Sequence, residues 1–304
     1  MVCASNKRLT VFTPTYNRAY ILPQLYDSLK KQTSKDFLWL IVDDGSKDDT
    51  EALVSRWIDE KIVEIQYIRQ KNGGKMLAHN VGVEHTKSEL FVCVDSDDWL
   101  VPASVAEILT NWEKVAVDDR STIAGFIAYR GRNETEVFEN EFPAGLTRSS
   151  LSELYKQGFR GETTLIFRTD VIRQYPFPIL HGERFIPEAY AYDQIDQSYT
   201  YCLIPSIMIV CEYRADGLTK NMLKLSFHNP CGYTAYSMQR ANLSKTFVDK
   251  VKNYIRANCF RHQIKGKTLP IAASDRLLYD LTYPLGLVLF YRKKRMYLKL
   301  QKGK

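Results

Sequence analysis

The apolar run Leu90-Phe91-Val92-Cys93-Val94 breaks off into Asp95-Ser96-Asp97-Asp98, which crowds carboxylates at the end of a segment that reads as a buried strand. Asp95 and Asp97 are two residues apart, so a short loop can turn both toward one cation as hard oxygen ligands of the kind Mg2+ or Mn2+ takes. The same residues also suit a polar turn into a helix, since Pro102 fits a first helical position and Val105, Ile108, Leu109 and Trp112 follow at helical spacing. Two further polar turns follow apolar runs. One is Asp43-Asp44-Gly45-Ser46; the other is Asn72-Gly73-Gly74-Lys75, whose glycines permit a tight turn or close approach by a ligand. Later in the chain, Glu183 and Glu188 lie in a loop before a predicted helix. Two nucleotide motifs are excluded. Gly74-Lys75-Met76 looks like the end of a P-loop, but Arg69 replaces the required earlier glycine and Met76 cannot ligate Mg2+. No Gly-x-Gly-x-x-Gly follows the first strand, which argues against a nicotinamide or flavin dehydrogenase.

The elements that must position these turns alternate. Strands are predicted at Leu9 to Thr13, Phe37 to Val42, Ile62 to Ile68 and from Leu90. Helices are predicted after each, with Leu22, Leu25, Tyr26 and Leu29 in the first, a capping box of Asp48 and Glu51 opening the second, and Lys75 to His85 as the third. Repeated strand and helix imply right-handed βαβ units and a doubly wound, mainly parallel α/β sheet flanked by helices. These three turns, and a fourth at Pro14 to Arg18 after the first strand, then fall on one edge, the carboxyl edge where ligands bind such sheets. The second half is less regular. It predicts strands at Thr122 to Tyr129, with Glu134 to Phe138 as hairpin partner, Thr163 to Phe167 and Ile207 to Cys211, short helices at Leu151 to Gln157 and Thr169 to Gln174, and a helix from Ala189 to Tyr201. Beyond Arg214 the pattern becomes helical and basic.

Seven of the 42 basic residues lie between Arg292 and Lys304 without an acid among them, so the other 35 match the 35 acidic residues and the body is neutral. That distribution argues against a nucleic-acid partner and suits an anionic membrane surface or a solvated end. Leu277 to Tyr291 is largely apolar and leads into Arg292-Lys293-Lys294-Arg295. It is too short to span a bilayer, and suits either the interface or a buried docking helix. The six cysteines form no Cys-x-x-Cys pair, which predicts reduced thiols and no zinc site. Met1 to Arg8 is polar and lacks the apolar region of a signal peptide, so a cytoplasmic chain is expected, peripheral on the cytosolic face of the membrane if the basic segment binds there.

Phe12-Thr13-Pro14-Thr15-Tyr16-Asn17-Arg18, Val42-Asp43-Asp44-Gly45-Ser46-Lys47-Asp48, Asn72-Gly73-Gly74-Lys75 with Ala78-His79-Asn80, and Val94-Asp95-Ser96-Asp97-Asp98 together resemble the ordered signature of family 2 glycosyltransferases with the GT-A fold. The resemblance runs from about residue 8 to 115 and more weakly to about 230. It implies a catalytic domain at 1–215, divided into a nucleotide-sugar half (8–115) and an acceptor-side half (116–215), with a helical appendage and basic tail at 216–304. The implied reaction moves a sugar from a nucleotide diphosphate, here a UDP-sugar, to an acceptor hydroxyl with inversion, the acceptor being a glycan or lipid-linked glycan of a cell-surface polysaccharide.

The resemblance also implies roles. Thr13, Pro14, Tyr16, Arg18 and Asp44 line the nucleotide slot, with Gly74 and Ser96 beside it; Lys75 meets the base or diphosphate. Asp97 ligates Mn2+ or Mg2+, and Asp95 contacts the sugar-ribose side or the metal. The family's Glu-Asp pair, which supplies the base, is broken here because Ala189 follows Glu188. Glu188 is the best match, Asp193 lies a helical turn on and Glu183 precedes it. His79 supports Asn80 and its helix, while His228 and Asn221 are candidates to complete the metal or diphosphate shell. The Gln-x-x-Arg-Trp sequence of processive synthases is absent, which favours addition of one sugar. Two alternatives remain from the residues: a dehalogenase-type phosphatase using Asp95-x-Asp97, and a non-catalytic partner subunit of the same fold.

Overall fold

The computed structural model describes residues 7–180, 182–212, 221–264 and 275–302. In chain order these form β1 (Leu9–Thr15), α1 (Leu22–Lys30), β2 (Phe37–Asp43), α2 (Thr50–Glu60), β3 (Ile65–Arg69), α3 (Lys75–His85), β4 (Leu90–Cys93), β5 (Trp99–Leu100), α4 (Ser104–Lys114), α5 (Val117–Arg120) and β6 (Ile123–Gly131). There follow β7 (Arg148–Ser149), α6 (Leu151–Lys156), β8 (Thr163–Arg168), α7 (Thr169–Ile172), α8 (Ala189–Ile195), β9 (Thr200–Val210), α9 (Met222–His228), α10 (Pro230–Leu243), α11 (Phe247–Asn258), α12 (Arg276–Leu281) and α13 (Tyr283–Lys302).

Period-two alternation sends the side chains of each strand to two helical layers. Leu9, Val11, Trp39, Ile41, Leu90 and Val92 pack under α1, α2 and α4, where Tyr26 stacks on Trp57 at 4.3 Å and Trp39 lies 5.7 Å from Trp57. Phe12, Leu40, Val42 and Phe91 face the other way, against Ala78 and Val83 of α3 and Ile195 of α8. Helix α3 lies close to the sheet because Gly82 has no side chain; a Cβ there would come within 2.4 Å of the Phe12 ring. Each fully buried apolar side chain of this kind stabilises the sandwich by about 2 kcal/mol.

The sheet order is β3-β2-β1-β4-β8-β6-β9-β5, with β7 on β9. The strands β3, β2, β1 and β4 are mutually parallel, as their crossover helices require. Beyond β4 the sheet is mixed, because β8 runs antiparallel to both β4 and β6 while β9 is parallel to β6. Parallel pairing is thus confined mostly to the first half.

Several local expectations are corrected. Asp48 and Glu51 form no capping box: α2 begins at Thr50, and Asp48 accepts the Thr50 and Ala19 N–H groups instead. Pro102 lies before the Ala103 N-cap of α4, outside its first turn. The expected hairpin partner at Glu134 to Phe138 reduces to one bridge between Gly131 and Val137. The helix from Ala189 stops at Ile195 rather than Tyr201, because Asp196 turns out to accept the Leu151 and Ser152 N–H groups at 3.1 and 2.6 Å and the β-branched and aromatic run that follows suits a strand. That strand starts at Thr200, well before the expected Ile207; Pro205 sits in a bulge where the register against β6 jumps from Ile204 to Ile207.

The chain divides into two compact units, Met1–Phe177 with Ala191–Glu212, and Pro178–Tyr190 with Tyr213–Lys304. The expected boundary at 215/216 lies outside the described residues. In the second unit α10, α11 and α12 enclose Met238, Ala241, Tyr254, Ala257 and Tyr279.

Candidate active site

Four loops leave the carboxyl ends of β1, β2, β3 and β4, and hydrogen bonds join them. The first two are stitched through Asn17, which holds a left-handed φ of 52°: its N–H donates to Ser46 Oγ and its Oδ1 accepts the Lys47 N–H, both at 2.8 Å. Tyr16 is exposed at this rim, and the Arg18 guanidinium donates to Tyr20 Oη at 2.5 Å. Pro14 remains within β1, in register with Val42. Thr13, expected in the nucleotide slot, turns its side chain into the core. That side chain is fully buried and its Oγ1 accepts the Trp39 indole N–H at 3.0 Å, because residue 13 falls on the same sheet face as Leu9 and Val11.

The acidic turn after β2 is fully bonded. Asp43 Oδ1 accepts the Ser46 N–H at 2.7 Å and Oδ2 accepts the Tyr67 hydroxyl at 2.5 Å; burial and the Asp43 charge both push the Tyr67 phenol up. Asp44 clamps the third loop. Its Oδ1 accepts from Gln70 Nε2 (2.8 Å) and the Gly73 N–H (2.7 Å), and its Oδ2 accepts the Gly74 N–H at 2.8 Å. Gly74 adopts φ +94°, a value open to glycine, and this lets the chain present both N–H groups to one carboxylate before α3 begins. Around this clamp, Thr15 Oγ1, Gln70 Oε1 and Asn72 Oδ1 are buried without a hydrogen-bond partner among the described residues.

The turn after β4 is bonded differently. Lys75, at the start of α3, places Nζ 2.7 Å from Asp95 Oδ1 and 2.9 Å from Oδ2. Burial works against the Asp95 charge, but the Lys75 and Arg130 cations outweigh it and hold the carboxyl below the usual carboxylate range. Asp98 is buried with Arg130 of β6 at 2.8 Å; burial pushes its carboxyl up to about 7, against the pull of Arg130. The Asp98 N–H closes the turn on Asp95 O at 3.0 Å. Between these two paired acids, the part-buried Asp97 side chain makes no hydrogen bond or ion pair among the described residues. Ser96 is buried beside it. Asp97 and Asp95 fit a Mg2+ or Mn2+ ion that takes one or two protein carboxylates and completes its shell with substrate phosphates and water. No cluster of three or more His, Cys, Asp or Glu forms a metal site among the described residues.

The remaining candidates belong to other elements. Glu188 is part-buried just before α8 and belongs to the second unit; Asp193 is part-buried within α8, in the first. Glu183 caps a helix, accepting the Cys231 and Gly232 N–H groups at the start of α10, each at 2.8 Å. His228 Nδ1–H donates to Lys224 O at 2.8 Å, and Asn221 is the N-cap residue of α9. His79 is buried among Phe12, Phe91 and Phe177, and Asn80 exchanges two hydrogen bonds with the Phe177 backbone. Sequence reasoning passed over Arg130 and Gln70. For Arg130 a signal existed: a lone cation in the otherwise apolar β6 needs a buried partner.

The family model for glycosyl transferase family 2 matches residues 10–177, more than half of the 304 residues. An uncharacterized glycosyltransferase of Rickettsia felis is 37% identical over 91 residues, which is 30% of this chain; the chain spans 15% of that relative's length. The GalNAc(5)-diNAcBac-PP-undecaprenol beta-1,3-glucosyltransferase of Campylobacter jejuni is 21% identical over 277 residues, covering 90% of this chain and 86% of its own. The crystal structure of S. aureus TarS 1-349 in complex with UDP-GlcNAc superposes with a TM-score of 0.55 at 16% identity over 90% of this chain and 79% of that one. The fold is therefore the GT-A type, and the phosphatase reading of Asp95-x-Asp97 falls away. With the four signature loops of the sequence joined on one sheet edge and the family model covering them, this chain belongs to glycosyl transferase family 2.

Proposed function

We propose that this chain transfers one sugar, with inversion, from a UDP-sugar to a hydroxyl of a glycan or lipid-linked glycan in cell-surface polysaccharide synthesis. The observation that carries the reading is the Asp97 carboxylate, which makes no hydrogen bond or ion pair among the described residues, beside the Lys75–Asp95 pair. A diphosphate leaving group gains negative charge as the sugar departs. Asp97, with Asp95, would hold a divalent ion there, and the ion when bound supplies positive charge to the diphosphate. Lys75 adds a second cation at the same loop end, and its ion pair with Asp95 fixes where the ammonium sits. The clamped Gly73–Gly74 turn fixes the loop from which Lys75 reaches Asp95. UDP-GlcNAc bound to TarS and an undecaprenol-linked acceptor for the Campylobacter jejuni relative support the donor and acceptor classes.

Inversion needs one carboxylate to take the acceptor hydroxyl's proton as that oxygen attacks the anomeric carbon; Glu188 is assigned this role, with Asp193 the alternate. The test combines donor binding and turnover. Glu188→Gln should bind UDP-sugar with Mn2+ as the wild type does, by thermal shift, and lose at least about 100-fold in transfer rate. Full activity in Glu188→Gln with loss in Asp193→Asn would move the base to Asp193. Failure of every UDP-sugar to raise the unfolding temperature would remove the donor assignment.

A further inference from the structure

Helix α13 carries six basic residues and no acidic one over Tyr283–Lys302. One of its faces is committed to the second unit. A Cβ on Gly286 would come within 2.8 Å of the Asn258 backbone, Phe290 is buried 5.7 Å from the Phe227 ring, and Tyr297 stacks on Phe227 at 4.8 Å. Leu285, Val288, Arg292, Arg295 and Lys299 follow at alternating steps of three and four residues on the opposite side, and all are exposed. On α12, Leu277 and Leu281 add two further apolar side chains, 72% and 68% exposed. Tyr291 and Leu298 flank the row. Helix α13 thus shows an outward face that is apolar at one end and cationic at the other.

We propose that this face docks on an anionic lipid bilayer, a property independent of the transfer chemistry. Two features select that occupant. The surface must take aliphatic side chains and cations side by side, and a bilayer interface does both, because Arg and Lys bury their stems while their charges reach anionic headgroups. A second copy of the chain would instead set the Arg292, Arg295 and Lys299 row against its own like. A surface groove of about 390 Å³ between Tyr291, Lys294, Arg295, Leu298 and Lys299 offers cations from three side chains to one headgroup. No helix among the described residues is long and apolar enough to cross a membrane, so the contact is interfacial.

Cosedimentation of the full chain with phosphatidylglycerol–phosphatidylcholine vesicles, and with phosphatidylcholine alone, tests this at low and high salt. The full chain should pellet with the anionic vesicles at low salt and lose affinity at least about tenfold at high salt. The combined variant Arg292→Gln, Arg295→Gln, Lys299→Gln should lose as much at low salt, and Leu285→Ser with Val288→Ser should weaken binding under both conditions. Circular dichroism and UDP-sugar thermal shift should match the wild type in both variants, separating loss of docking from loss of fold or donor binding. Three results overturn the proposal: full-length protein left in the supernatant with anionic vesicles at low salt, pelleting unaffected by either variant, or a dimer in solution that Leu285→Ser with Val288→Ser abolishes.

Discussion

The turns after β2 and β4 are both strings of acids at the end of a buried parallel strand, yet their carboxylates are used in opposite ways. At Asp43-Asp44 both side chains are buried, and their oxygens accept from Ser46, Tyr67, Gln70, Gly73 and Gly74. At Asp95–Asp98 two acids are held by single cations, Lys75 and Arg130, and the third makes no hydrogen bond or ion pair among the described residues. A carboxylate whose lone pairs are filled by backbone N–H groups is a scaffold, since any ligand must compete with bonds that fold the loop. A carboxylate with no partner among the described residues, between two that are each paired with a cation, can take a cation without breaking a bond that folds the loop. The number of bonds already made, rather than the residue type, distinguishes the two turns.

Asp97→Asn breaks this contrast from the reactive side and should have the largest effect. Transfer should fall by at least about 100-fold, because an amide is a poor ligand for a hard cation, while the midpoint of urea unfolding stays at the wild-type value. A comparable loss of stability would make Asp97 a scaffold like Asp44. The opposite substitution, Asp44→Ala, should act first on stability. It leaves the Gly73 and Gly74 N–H groups and the Gln70 amide without their acceptor, at a cost of about 3 kcal/mol in urea unfolding. If Asp44→Ala unfolds like the wild type and loses only UDP affinity, the clamp is a nucleotide contact and the contrast fails.

Much of this division is hidden in the sequence because partners arrive from other strands. Continuous apolar runs made β1, β2 and β4 legible, and Lys75 to His85 is the span of α3. Four loops on one edge follow from βαβ handedness alone. Nothing in Asp43-Asp44 announces that Tyr67, Gln70, Gly73 and Gly74 converge on it, and nothing around Lys75 announces that Asp95 lies 2.7 Å from its ammonium. Pro205 hid the first half of β9, since a proline normally ends a strand and here lies in a bulge. Glu183 and Glu188 look equivalent on one short loop, but the N-terminus of α10 takes Glu183.

The smallest effect belongs to Asp48, at the margin of the β2 turn, and it sharpens the contrast through pH. Its side chain is exposed, and it accepts the Ala19 N–H at 3.0 Å and the Thr50 N–H at 3.2 Å. Burial opposes its charge, but the hydrogen bonds from Thr50 and Ala19 hold the carboxyl below the usual carboxylate range. A carboxyl depressed in the folded state contributes stability above its unfolded pKa and loses it as pH falls through the folded value. Asp48→Ala should therefore cost less than about 1 kcal/mol at neutral pH, given its exposure to solvent. That deficit should shrink below about pH 4, where the wild-type carboxyl also takes up its proton. Urea unfolding of both proteins across that range measures it, and a deficit that grows with acid would mean that Asp48 is held in its neutral form and that the hydrogen bonds from Thr50 and Ala19 do not favour its charge.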